Sequence, residues 1–440
     1  MKKYFSFAPM AVIAMALMTT ACSKDDDAAQ ETQQQQQQTA DAYLSENATN
    51  PVNTDFTERK YGTQAIADCA DIVAQMESAN SKIEGASLTE EQTQYLREVL
   101  GNIVDNVIVP TYTKLADNTE TLEQTLRGLE ASTITQAQIN EACRLFGEAR
   151  VQWERSEAFL GGAASDFSVD PTIDSWPLSR TALHTYLTGS MNPEDLDDES
   201  ILGFHALEFI LFRNGQPRKV AEFKSNDTYN GFTNVAGSKE LVYAQQVCKL
   251  LKERTFQLQV AWQGECSGNA GRVAVVKAAK LGITTEKGLS YGDDLKQAGT
   301  ANSKYSTIKS AIAQVLSDEE GSAAAIANEV GTAKIANPFR AGEISYVESP
   351  YSYRSIIDFQ DNIRSVRNVW CGNVNGSRDE SVKSFWSFFR KYGQEDINVS
   401  VVNSYVKAIN SIGNMPAPFV KYCCTVWNKE FSEEEYSEEE

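Results

Sequence analysis

The chain has 440 residues and a formal net charge of −20, from 60 acidic and 40 basic side chains. That length allows two or three domains and a sizeable core. The acidic excess argues against nucleic acid and anionic membrane surfaces as partners and makes cations the natural ligands.

In chain order, residues 1–21 read as a lipoprotein signal peptide. Lys2 and Lys3 precede an apolar run over 5–18 that is too short to span a bilayer, and Thr19-Thr-Ala-Cys22 supplies small residues before a cysteine. Cys22 is the expected lipidation site, and the acidic run 23–27 resembles the surface-export tag of bacterial lipoproteins. The expected location is the cell envelope, with an outer-membrane lipoprotein facing the periplasm or the cell surface. Residues 22–56 are rich in Asp, Gln, Thr and Asn and read as a disordered tether. Residues 430–440 read as a solvated acidic tail. With Cys22 lipidated, seven cysteines remain without C-x-x-C spacing, and they are assigned no metal role.

Between these ends the dominant period is helical and strand-like alternation is nearly absent. Helices are predicted over 90–129, kinked at Pro110, and over 135–161, 239–262, 304–335, 355–370, 381–392 and 402–413. The fold class is all-α, with two helical-bundle domains predicted over 57–232 and 233–429.

The most informative stretch is Ile201-Leu-Gly-Phe-His-Ala-Leu-Glu-Phe-Ile-Leu-Phe212. It is apolar on every side apart from His205 and Glu208, whose i, i+3 spacing puts them on one helix face. A buried carboxylate needs a cation, hydrogen bonds, a proton or a metal, so the pair is either a structural polar plug or a site. Gly203 before it allows close backbone approach. In Trp153-Glu-Arg-Ser-Glu157, Glu157 falls at the edge of an apolar stripe, where a carboxylate is costly, while Glu154 lies four residues after Arg150 and reads as an exposed salt bridge. Asp174 sits between Pro171 and Pro177 and serves as a functional residue or a turn cap. His184 reads as a packing or surface residue. The two histidines permit no His-Glu-x-x-His zinc motif, and P-loop, dinucleotide and Gly-x-Ser-x-Gly signatures are absent.

Gly203-Phe-His-Ala-Leu-Glu208 resembles the GxHxxE signature of the imelysin family. The resemblance extends to Val109-Pro-Thr-Tyr112, the 153–159 segment, Asp170-Pro-Thr-Ile-Asp-Ser-Trp-Pro177, and Asp358-Phe through Trp370. It implies two four-helix-bundle-like halves with the His-x-x-Glu site near their contact, in envelope proteins linked to iron uptake, some classed as metallopeptidases. It carries Gly203, His205 and Glu208 over directly, and Glu157, Asp174 and Trp176 by position, with Glu154, Arg155 and Ser156 as their neighbours in the pocket. The metal set expected on this basis is His205, Glu208, Glu157 and Asp174. Gly161-Gly162 departs from the bulkier pattern of many relatives. One imidazole with several carboxylates suits iron better than zinc, although zinc fits the count. Metal binding with an iron-uptake partner is therefore the leading expectation. A metallopeptidase using the same site and an interaction module with a structural plug are the alternatives.

Overall fold

The computed structural model describes residues 43–46, 60–229, 232–339 and 346–423. The signal peptide with Cys22, most of the tether and the acidic tail lie outside the described residues. Those described are mainly helical, with four two-residue strands in two small antiparallel ladders, as the all-α reading requires. No helix among them is long and apolar enough to cross a membrane.

Helix α1 is Lys60–Gly85, and α2 is Glu90–Ile103. Thr89 opens α2 with a capping box, its side chain accepting from the Gln92 amide while the Gln92 side chain returns to the Thr89 amide. A π turn at Val104–Ile108 leads into α3, Val109–Arg127. In a regular α turn the Pro110 ring would strike the Asn106 carbonyl. The wider π turn removes that clash, so the predicted kink appears as a change of helix type. Helix α4, Gln136–Glu154, starts with a second capping box on Thr135 and Gln138, and α5 is Gly203–Leu211. Four longer segments follow: α6 at Gly237–Gln263, α7 at Ala323–Glu329 with its π continuation Val330–Ala336, α8 at Ser355–Cys371 and α9 at Glu395–Gly413.

The helix expected over 304–335 is interrupted. It ends with Ile308–Leu316 and resumes only at Ala323, where Ser322 caps α7. Between the pieces Gly321 adopts φ +61° and accepts a hydrogen bond at 3.0 Å from the Gly161 amide. Backbone meets backbone there, and a Cβ on Gly321 would fall on the Gly161 amide nitrogen, which accounts for a glycine at 321.

Helices α4 and α6 pack on α3 and also on α5, while α1, α7, α8 and α9 form a second group. Helix α4 joins the groups by packing on α8. Both sets of contacts cross position 232/233: α6 lies on α3, and the early α1 lies on the late α9. Within the first group Phe146 of α4 and Phe204 of α5 meet edge to face at 5.8 Å. Residues 43–46, the described part of the expected tether, lie against the helices. Leu44 donates its amide to Asn403 of α9 at 2.9 Å, and Glu46 pairs with Arg364 and Arg367 of α8 at 3.0 and 2.6 Å.

Candidate functional site

All nine residues of α5 are buried, so His205 and Glu208 do sit in an apolar helix. The helix can begin where it does because Gly203 has φ +76°, and a Cβ there would fall on the Ile173 backbone. That contact sets the start of α5 against the residue preceding Asp174. The short helix Val169–Ile173 ends at this point, and Asp174 and Trp176 follow from it. Trp176 covers His205 with ring centroids 4.6 Å apart.

These residues line one wall of a cavity of about 360 Å³. Glu157, in a 3-10 turn just after α4, and Asp170 extend the same wall. Glu329 at the end of α7, Lys334 in its π continuation and Glu348 in the chain before α8 complete the lining. One donor atom each from His205, Asp174 and Glu348 lies within 4.8 Å of the others, and the same holds for Glu157, Asp170 and Asp174. Nε2 of His205 is 3.2 Å from Asp174 Oδ1, close enough for charge pairing, but it is misaligned for a hydrogen bond and has no such partner.

Arg150 lies beneath the cavity, fully buried among acids. It pairs with Asp174, with Glu154 and Glu348 at 2.5 Å each, and more loosely with Asp358 at 3.7 Å. Lys334 adds a second buried cation, 3.2 Å from Glu348. Burial opposes the ionised form of Asp174, yet the Arg150 guanidinium and His205 outweigh it and hold the carboxyl well below its usual range. Burial and Arg150 likewise oppose charge on His205, but the Asp174 and Glu208 carboxylates prevail and push it up to about 9. Burial raises Glu157 well above the ordinary carboxylate range despite Lys334, and it brings Asp170 to about 7, helped by Asp174.

Glu208 has a different environment from the one its motif position suggests. Its Oε1 accepts from the amides of Tyr351 and Ser352 at 3.0 and 2.7 Å and from the Ser352 hydroxyl at 2.7 Å. Its other oxygen is 3.5 Å from His205 Nδ1. Glu208 thus fastens the chain before α8 to α5 and orients the imidazole, and it is not among the residues lining the cavity.

Of the expected metal set, the structure brings His205, Asp174 and Glu157 to the cavity and leaves Glu208 behind it. Glu154 does pair with Arg150, but the pair is fully buried rather than exposed, and Asn362 donates to Glu154 at 2.5 Å. Ser156 is buried and donates to the Trp153 carbonyl, while Arg155 pairs with Asp361 at 3.0 Å; neither lines the cavity. His184 packs edge to face on Phe232 and bonds the Thr233 carbonyl at 2.9 Å. The six described cysteines are free, and none joins the acidic clusters. Sequence reasoning missed Asp170, Lys334 and Glu348. Asp170 was signalled by its position four residues before Asp174, whereas Lys334 and Glu348 carry no local signal.

The fold and site together define a mainly helical protein with an acid-lined cavity built around one buried histidine. The imelysin family profile matches residues 108–422, and the chain belongs to the imelysin family. It is 26% identical over 286 residues to iron-regulated protein A of Synechococcus elongatus, an alignment covering 64% of this chain and 66% of that protein. About a third of that relative is therefore unmatched. A crystal structure described as an iron-regulated protein A precursor from Parabacteroides distasonis shares the fold, with a TM-score of 0.56 and 23% identity over 77% of this chain and 97% of that one.

Proposed function

We propose that this chain is an exported envelope lipoprotein that binds a metal ion, iron foremost, and takes part in iron uptake. The observation that carries the reading is the convergence of His205, Asp174 and Glu348 on one open cavity, with the buried Nε2 of His205 lacking a hydrogen-bond partner. These residues fit a metal ion: they offer one imidazole and several carboxylates, a donor set harder than zinc sites favour and suited to iron. His205, Asp174 and Glu348 would hold the ion, and the net acid around them would attract it. The names of the relatives, iron-regulated protein A and its precursor, agree with iron handling and export. Elemental analysis and anaerobic Fe(II) titration of the full chain test the reading. Binding in the wild type that is lost in His205→Ala supports it, and an unmodified chain that takes up no metal refutes it. Lipid labelling that disappears in Cys22→Ala would support anchoring, and protease shaving of intact cells would decide which side of the membrane the body faces.

The alternative reading as a metallopeptidase draws on one feature: Glu157, protonatable and beside the metal donors, is placed as a general acid or base would be. Chelator-sensitive cleavage of unstructured peptides, abolished by Glu157→Gln, is the result that reading requires.

A further inference from the structure

The two acidic clusters share Asp174 but differ in how their charge is balanced. On the Glu348 side both buried cations are present, with Arg150 and Lys334 each paired to Glu348. On the other side stand Glu157, 4% exposed, and Asp170, both lining the cavity. Among the described residues no lysine or arginine lies within ion-pair distance of either carboxylate, and Glu157 accepts no hydrogen bond. Lys334 turns instead to Glu348 and, at 3.6 Å, to Glu329. A buried carboxylate aimed into a cavity without a partner is unfavourable until a cation reaches it.

We propose that the cavity takes two metal cations, the second held by Glu157, Asp170 and Asp174, with Asp174 shared between the two. This rests on the reading of the His205 cluster as a metal site. The second donor set is all oxygen and suits a hard cation such as Mn(II), Fe(II) or Ca(II). The first, with its imidazole, is the more selective for transition metals.

Mn(II) titration of the full chain, followed by calorimetry and electron paramagnetic resonance, tests the proposal. The expected stoichiometry is two ions per chain, with a spin-coupled, broadened spectrum at saturation. Glu157→Gln and Asp170→Asn should each remove the weaker ion and restore the isolated six-line spectrum, while Asp174→Asn weakens both ions by at least roughly tenfold. Using two independent variants at the second cluster guards against one that fails to fold. A wild-type chain that takes one ion, unchanged in Glu157→Gln, would overturn the second site and leave a shared proton as the charge balance there, with the single-metal reading intact. A chain that takes none would overturn both.

Discussion

Replacing Glu208 separates a structural role from a coordinating one. In Glu208→Ala the buried amides of Tyr351 and Ser352 lose their shared acceptor, as does the Ser352 hydroxyl. Each buried amide left without a partner costs about 1–3 kcal/mol and the hydroxyl somewhat less, so the variant should lose roughly 3–6 kcal/mol. That is a large share of the roughly 5–15 kcal/mol by which domains are stable. Glu208→Gln keeps a carbonyl oxygen for the same donors and should lose only about 1–2 kcal/mol, the difference between a charged and a neutral acceptor. Urea unfolding followed by circular dichroism measures both, and Fe(II) titration run in parallel measures the site. The expected pattern is a marked stability loss in the alanine variant and near-normal metal affinity in the glutamine variant. If alanine costs under about 1 kcal/mol while glutamine abolishes binding as His205→Ala does, Glu208 is a ligand and the reasoning fails.

Four further outcomes follow from the same geometry. His205, raised to about 9, must lose its proton before Nε2 can bind metal, so apparent affinity should climb roughly tenfold per pH unit from 6 towards 9 and then level off; a flat profile contradicts this. The same shift stabilises the metal-free chain fully below 6.5 and is lost as pH passes about 9, so its melting temperature should fall across that interval. Gly203→Ala forces a side chain onto the Ile173 backbone at positive φ and should cost roughly 2–5 kcal/mol while pulling Asp174 from His205, seen as a lower melting temperature together with weaker metal binding. Lys334→Met removes a cation that competes for Glu348, and metal titration should show affinity tightened by roughly tenfold, or about 1.4 kcal/mol; weakened binding would assign Lys334 a supporting role.

The helices were legible because their apolar period, caps and glycines are local signals. The burial of α5 followed from composition alone, since a helix without a polar face has nowhere else to go. The site was legible only where one segment carries its own pattern, as with His205, Asp174 and Glu157. Glu348 is 198 positions from Arg150 in sequence, and no spacing rule spans that distance. Arg150 and Glu154 were misjudged for a related reason. An i, i+4 pair of opposite charge reads as a solvated helix face, and only the packing of α4 on α8 removes the solvent. Glu208 is the converse case: its spacing joins it to His205, but the amides that occupy it come from a loop 143 residues away.

The π segment at Val330–Ala336 accommodates one more residue per hydrogen-bonded loop than ordinary coiling does. Deleting a single residue between positions 330 and 333 would let this stretch wind normally and swing the ammonium of Lys334 through roughly 100° about the helix axis. The acid wall opposite α5 would then lose its counterweight with every charged side chain still in the sequence. Indels in this seven-residue stretch would therefore retune the cation preference of the cavity without altering one of its donors.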